Sequence, residues 1–573
     1  MRIRKLLVAG FAFVSISVLA QSPAPKSVSL QSQPAVAQNL PTPTNMNELV
    51  DRVIMREHAL MDFLKNRKPL VETYLQNLRP DDQLGAVPKE DHYFLGRLDL
   101  GDVERQDYLS KDSNVQSHLL GGISRLYRVQ YQPLGLSWMV FVDHNQFDRQ
   151  HYDFHYNSTE FLGDVKCYVF DIQPKANAGK GRFIGRIWVE DQGYNIVRLN
   201  GTYGSTTNYY FHMDSWRLNL VPGFWIPSYI YSEEGDFSYG AKNKSAAAFK
   251  AQTRIWGYDL KQDNPEAELT QIKIDSTVKD NSAAAADASP LEAQRQWQQQ
   301  AEDNVVNRLE SAGLIAPDSE VDKVLMTVVN NLEVTNNINL PRPVRTRVMI
   351  TSPLETFSVG NTIIISRGLV DVLPDEASLA TVLSHELAHI VLGHNIGSQY
   401  AFNDRMFFSD SDTYKNMGFR HSPEEETAAD KKAEELLKNS PYAQKLSSAG
   451  LFLRELDMRG PQITALLTAH LGNGFADEKG HVIRFNDLMQ AAPALQENKI
   501  DQIAALPLGG RVKLDPWTDK VDLIKAAPVA YTSARDKMPF EVTPFFPRLS
   551  RISNPDPIAA NAPTTANAAA PTN

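Results

Sequence analysis

The sequence predicts an α+β, multidomain chain: an antiparallel β-rich domain first, then a mainly α domain that carries a small sheet. Three observations predict it. At 573 residues the chain exceeds what one hydrophobic core serves. From about 90 to 260, alternating aromatic-rich runs are separated by Gly, Asn and Asp. From Leu291 onward helical periodicity dominates, broken only by strand patterns at 344–350 and 362–366.

The elements follow in order. Residues 1–20 read as a signal peptide: Arg2, Arg4 and Lys5 precede an apolar stretch, and Val18 and Ala20 are small residues ahead of Gln21. Residues 21–45, rich in Ser, Pro, Ala and Gln, read as a disordered leader. The helix plus β-rich domain spans 46–275. Its helix covers about 46–68, with Leu49, Val53, Ile54, Leu60 and Phe63 on a helical period. Strand runs are expected at 165–172, 182–190, 195–203 and 209–218, with a hairpin turn at Asp191-Gln192-Gly193. Cys167 alternates within the first of these and reads as a small buried hydrophobe.

Residues 276–290, Ala- and Ser-rich, form the linker. The second domain spans 291–490 and an ordered C-terminal extension spans 491–550. The Ala/Pro/Thr/Asn tail, 551–573, reads as disordered. A net charge of −10 offers no basic footprint for nucleic acid. No later stretch holds about 18 unbroken apolar residues, so the chain is not expected to span a membrane once its signal is removed. The expected compartment is periplasmic or secreted.

Chemistry concentrates in His385-Glu386-Leu387-Ala388-His389. Histidines at i and i+4 share one helical face and can hold one tetrahedral Zn2+, while Glu386 beside them can take a proton from a water on the metal. The surrounding helix has Pro374, Asp375 and Glu376 at its start and Gly393 at its stop, with Leu379, Val382, Leu383 and Ile390 as an apolar stripe. Downstream, Ser422 and Glu425 form a capping box with Pro423 at the first helical position. On that helix Glu426 and Asp430 point the same way. One carboxylate can complete the metal shell and the other can accept a ring N–H from a ligating histidine. Small residues between them allow close approach of the two helices.

Ser366-Arg-Gly-Leu, the run from Glu376 through His394, and Glu426-Thr-Ala-Ala-Asp430 together resemble the gluzincin zinc metallopeptidases that include the CAAX prenyl endopeptidase, HtpX and BepA. The resemblance covers about 300 to 480. It implies His385, His389 and Glu426 as ligands of one Zn2+ per chain, Glu386 as general base and Asp430 behind the ligands. Two departures stand out. Glu355-Thr356-Phe357-Ser358 replaces the family's Asn-Ala-Phe stretch, and its later His-Pro motif is not intact. His470, with His481 behind it, is the nearest candidate for that catalytic histidine. His394 does not fit the three-histidine metzincin spacing. On a continuing helix it would point roughly opposite His385, and it reads as structural.

In the N-terminal domain, the texture of Arg182 through Asp191, Ile196-Val-Arg-Leu199 and Trp225-Ile-Pro227 resembles the half-barrels of periplasmic lipoprotein carriers. This implies a half-barrel-like sheet able to hold an acyl chain or an unfolded segment. The expected function is an exported zinc-dependent endopeptidase acting on envelope or misfolded proteins. Its partners are a protein or peptide substrate and, in the envelope, lipoproteins or outer-membrane proteins. The alternative is a lipoprotein- or unfolded-protein-binding protein or chaperone with a latent zinc site. The strand at 362–366 is expected to pair with an extended substrate, and the stretch 395–420 to act as a lid over the cleft.

Overall fold

In the first described helix, α1 (Met46–Leu64), Asn45 caps the N-terminus by accepting from Glu48 N. The computed structural model describes residues 42–81, 85–98, 106–108, 139–143, 146–179, 182–203, 211–221, 223–234, 248–258, 290–394, 419–507, 512–514, 521–523, 537–538 and 540–552. The expected signal segment lies outside the described residues. So do most of the leader, the linker up to Pro290, the proposed lid through 418 and the tail beyond Ile552.

Ten strands follow α1: β1 (Leu70–Asp81), β2 (Gly85–Leu98), β3 (Gln106–Tyr108), β4 (Tyr152–Leu162), β5 (Val165–Pro174), β6 (Phe183–Glu190), β7 (Ile196–Tyr203), β8 (Phe211–Val221), β9 (Phe224–Glu234) and β10 (Ala248–Trp256). They form one antiparallel sheet in the order β3-β2-β1-β10-β9-β8-β7-β6-β5-β4, open because β3 and β4 are its two edges. The expected hairpin at Asp191 joins β6 to β7. The expected strands are present, but the sheet begins well before residue 90, at Leu70. Residues 70–76 of β1 are buried without a break, so the alternation that betrays a half-exposed strand is missing there.

One sheet face is closed by α1, with Val71, Phe94, Ile187 and Ile230 in one hydrophobic cluster with Leu49, Val53 and Leu60. A buried bidentate pair fastens the helix: Arg217 Nη1 and Nη2 donate to Glu57 at 2.6 and 2.7 Å. The other face joins the core of the C-terminal half in one continuous hydrophobic cluster, from Tyr74, Trp188 and Trp216 to Leu383 and Leu453.

That half contains α2 (Pro290–Ser311), α3 (Glu320–Thr335), β11 (Arg345–Met349), β12 (Glu355–Val359), β13 (Thr362–Ser366), α4 (Arg367–Val372), α5 (Glu376–Leu392), α6 (Pro423–Lys438), α7 (Leu446–Arg459), α8 (Thr464–Leu467), β14 (Asn473–Gly474) and α9 (Asn486–Ala491). Its small sheet runs β11-β13-β12-β14. Here the expectation for 362–366 is corrected. β13 is paired on both sides, by β11 and β12, so its main chain has no edge left for a substrate.

Three buried carboxylates hold this half in place. Glu72 on β1 accepts from Ser352 N and Oγ at 2.6 and 2.8 Å. Asp91 on β2 accepts from Ala465 N and Leu466 N, both at 2.8 Å. Glu355 accepts from the main-chain N–H groups of His470, Leu471 and Gly472 at 2.9–3.0 Å. Each gathers donors of a segment from another part of the chain onto one carboxylate. Among the described residues, no helix is long and apolar enough to cross a membrane.

Candidate metal centre

Helix α5 is built to hold side chains rigidly. Asp375 caps it through Ser378 N at 2.8 Å, and Gly393 ends it in the left-handed region at φ 70°. Every residue from Ala377 to His389 except Leu379 is buried, so the helix is enclosed on nearly all sides rather than along one stripe. Helix α6 begins with the expected capping box between Ser422 and Glu425 and with Pro423 in its first turn. It packs on α5, and its small Ala429 and Ala433 are fully buried.

The two helices bring His385, His389 and Glu426 together, with ligand atoms all within 4.8 Å of one another. His385 Nε2 lies 3.1 Å from both His389 Nε2 and Glu426 Oε2, and His389 Nε2 lies 3.7 Å from Glu426 Oε1. Tetrahedral ligands at about 2.1 Å from one ion stand about 3.4 Å apart, so the donor set fits a cation of zinc's size and ligand preference.

The distal ring nitrogens are also engaged. His385 Nδ1 faces Asp430 Oδ1 at 2.8 Å, and Asp430 Oδ2 accepts from Phe485 N at 2.9 Å. His389 Nδ1 lies 2.9 Å from His394 Nδ1. With protons on the Nδ1 atoms of both ligands, each Nε2 lone pair is left for a metal. His394 therefore does not lie opposite the site, as helical extrapolation implied. The left-handed Gly393 turns the chain back, and His394 N bonds His389 O at 3.0 Å. His421 stacks on the other side of His389, ring centroids 3.8 Å apart.

Within the ligand group each charge acts strongly on its neighbours. Burial and the Arg484 charge oppose an imidazolium at His385, but hydrogen bonds to Asp430 and Glu426 outweigh them and raise its pKa. Burial acts against ionised Glu426, yet the His385 hydrogen bond and the Arg484 charge bring it down to about 2. Burial first, then the neighbouring His385 and His421, depress His389 far below the usual imidazole range. A neutral His389 beside an ionised carboxylate is a ligand pair ready for a divalent cation.

Glu386 is fully buried next to the two histidines. Its Oε1 accepts from Thr356 Oγ1 at 2.6 Å, while its Oε2 is buried without a hydrogen-bond partner among the described residues. Arg484 reaches both carboxylates, Nη1 standing 3.6 Å from Glu386 Oε1 and Nε 3.6 Å from Glu426 Oε2. It also donates to Thr356 Oγ1 at 3.1 Å. Asn473 Nδ2 donates to Glu426 Oε1 at 2.7 Å. A cleft of about 500 Å³, lined by His421, Glu426, Asn473, Gly474 and Arg484, opens beside them.

His470 lies outside the ligand group. Its ring rests on Tyr93 with centroids 4.5 Å apart, and its Nε2 stands 3.5 Å from Ala465 O. Sequence reasoning named Thr356 only within a departure from the family pattern, and did not single out Asn473 or Arg484; their positions depend on β12, β14 and the segment before α9 meeting the helix pair.

The family model described as Peptidase family M48 matches residues 321–409. The match includes His385, Glu386 and His389 and stops short of Glu426, which is placed by geometry. No curated protein matches the chain. Among solved structures, a DUF1329 family protein from Desulfovibrio piger is similar at 10% identity, covering 38% of this chain and 94% of its own, with a TM-score of 0.18. A LolA superfamily protein from Nitrosomonas europaea shares 10% identity over 39% of this chain and 97% of its own, TM-score 0.19. An outer membrane lipoprotein-sorting protein domain from Vibrio parahaemolyticus shares 7% over 39% and 100%, TM-score 0.19. At these scores the structural likenesses carry no argument about function.

Proposed function

We propose, on the premise of the peptidase family M48 domain at residues 321–409, that the chain is an exported zinc-dependent endopeptidase acting on envelope or misfolded proteins. The observation that carries this reading is the meeting of His385, His389 and Glu426 with the buried carboxylate of Glu386 beside them. A purely structural metal site has no use for such a base. His385, His389 and Glu426 would hold one Zn2+, which when bound supplies a Lewis acid that acidifies water and polarises a peptide carbonyl.

Glu386 takes the proton from the attacking water on Oε2 and returns it to the leaving amine. Thr356 holds the Glu386 carboxylate in place by a hydrogen bond, and Arg484 faces the same oxygen. Asp430 and His394 hold the two imidazoles in the tautomer that presents Nε2. The two-residue β14 borders the cleft at the edge of the small sheet and is the strand an extended substrate would meet. Glu355 steadies the loop that leads into β14 by accepting from the main-chain N–H groups of His470, Leu471 and Gly472.

The test pairs zinc content with cleavage of unfolded casein for the chain without its first twenty residues and for Glu386→Gln. One zinc per chain in both, with cleavage only by the unaltered chain, is the expected result. Zinc in both with cleavage by neither would favour the alternative of an unfolded-protein-binding protein. A folded chain without stoichiometric zinc would overturn the proposal.

A further inference from the structure

The sheet face turned away from α1 is aromatic and charged. Arg198 is bidentate on Asp214, at 2.7 and 3.2 Å, and its guanidinium lies 4.3 and 4.5 Å from the ring centroids of Trp188 and Trp216. Trp188 Nε1 donates to Glu160 and Trp216 Nε1 to Asp214. Across this face runs the segment from Phe540 to Ile552, which has no regular secondary structure. Pro544 and Pro547 lack the N–H groups a ladder needs, which suits a chain that crosses strands instead of extending them.

Its contacts step from strand to strand. The Gln76 amide on β1 clamps the main chain, donating to Phe540 O at 2.6 Å and accepting from Val542 N at 2.7 Å. Glu541 pairs with Lys250 on β10. Phe545 meets the Tyr229 ring edge-on, centroids 5.6 Å apart, and Phe546 meets Trp216 at 6.0 Å. Leu549 is fully buried, and its carbonyl accepts from Asp164 N at 2.8 Å. Arg551 donates to Glu190 at 3.0 Å and Asp191 at 2.8 Å, and Ile552 N donates to Asn219 Oδ1 at 2.8 Å.

The main-chain contacts made by Gln76, Asp164 and Asn219 would serve any polypeptide laid in this direction. Selectivity comes from the aromatic floor and from the Glu190–Asp191 pair, which asks for a basic residue. Val542 and Leu549 are buried in the core, but Phe545 and Phe546 between them remain 59% and 37% exposed, so the middle of the segment rests on the sheet unsealed. An acyl chain would leave Asp191 and the Gln76 carbonyl without the donors that Arg551 and Val542 supply.

We propose that this face is a binding groove for an extended polypeptide segment with an aromatic pair followed by arginines. Residues 540–552 are its resident occupant, displaced by a substrate segment of the same chemistry. As a substrate-selecting groove it rests on the peptidase reading, but its test reads binding alone.

A fluorescent synthetic peptide of residues 540–552 is titrated, by anisotropy, against two Glu386→Gln chains, one complete and one ending at Met538. The shortened chain should bind one peptide, and the complete chain at least about tenfold more weakly, because its tethered segment competes at high effective concentration. Exchanging the peptide's arginine equivalent to Arg551 for glutamate should weaken binding about fivefold or more. Should the shortened chain fail a circular-dichroism check of folding, the complete chain carrying F545S and F546S takes its place. Both rings are exposed, so the fold should keep, and the peptide should bind it better than the unaltered chain.

No gain in binding by a folded variant would overturn the groove, as would equal binding of a scrambled peptide or preference for a fatty acid. Binding by a chain that holds no zinc would leave the groove standing and sink the peptidase reading. Casein cleavage without any gain in peptide binding would do the reverse.

Discussion

Arg484 stands beside the proposed base Glu386, with Nη1 3.6 Å from Oε1 and Thr356 Oγ1 bridging the two. Because Arg484 is 2% exposed, its charge acts at low dielectric. Arg484→Met should lower kcat about 10²-fold with zinc content unchanged, the order seen when one preorganised donor is removed. Arg484→Lys keeps the charge but not the fork, and should recover only part of the loss. Full activity in the Met variant would remove Arg484 from the site's machinery.

Asp430 and His394 each hold the far nitrogen of one ligand, at 2.8 and 2.9 Å. Asp430→Asn and His394→Ala should each weaken zinc binding by about 10- to 100-fold, measured by chelator competition. An unchanged affinity in His394→Ala would mean that His389 needs no orienting partner.

What could be read in the sequence is what is decided locally. The caps of α5 and α6 obey rules that span four residues, so Ser422, Glu425 and Gly393 are found where the pattern places them, while Asp375, expected within the first turn after Pro374, is itself the N-cap of α5. The i, i+4 spacings of His385 with His389 and of Glu426 with Asp430 then carry the ligand geometry. Thr356, Asn473 and Arg484 could not be read this way. Their place depends on strand order, on β12 lying beside β14 and on the chain before α9 reaching back to Asp430. β1 was hidden for a related reason. Its two faces meet α1 on one side and the C-terminal half on the other, so neither looks exposed. His394 was misdirected because a single left-handed glycine reverses the helical phase.

Cys167 is fully buried on β5, and burial pushes its thiol up to about 12. Iodoacetamide at pH 8 should leave the native chain unlabelled and label it once in denaturant, read by mass spectrometry. Cys167→Ala should keep casein cleavage within about twofold and cost roughly 1 kcal/mol of stability or less, as expected for a small buried group. Rapid labelling of the native chain would contradict the burial of β5.

Asp91 ties the large sheet to the C-terminal half through Ala465 N and Leu466 N, and Tyr74 donates to it at 3.0 Å. Burial outweighs these donors and raises its carboxyl to about 6 from an ordinary 3.8. The folded chain therefore holds this proton more tightly than the unfolded one. As pH rises from about 4 to 6 the unfolded chain releases it first, so stability falls across that window and levels off above it. The shift of about two units corresponds to roughly 3 kcal/mol at most. Asp91→Asn cannot accept from both main-chain donors and should be less stable at every pH, but it lacks this slope. Its deficit against the unaltered chain should shrink between pH 4 and 7, followed by urea unfolding of the metal-free proteins so that ligand protonation at the zinc site does not intrude. A deficit that grows with pH would mean that Asp91 is ionised throughout and that its hydrogen bonds, not its burial, govern its proton.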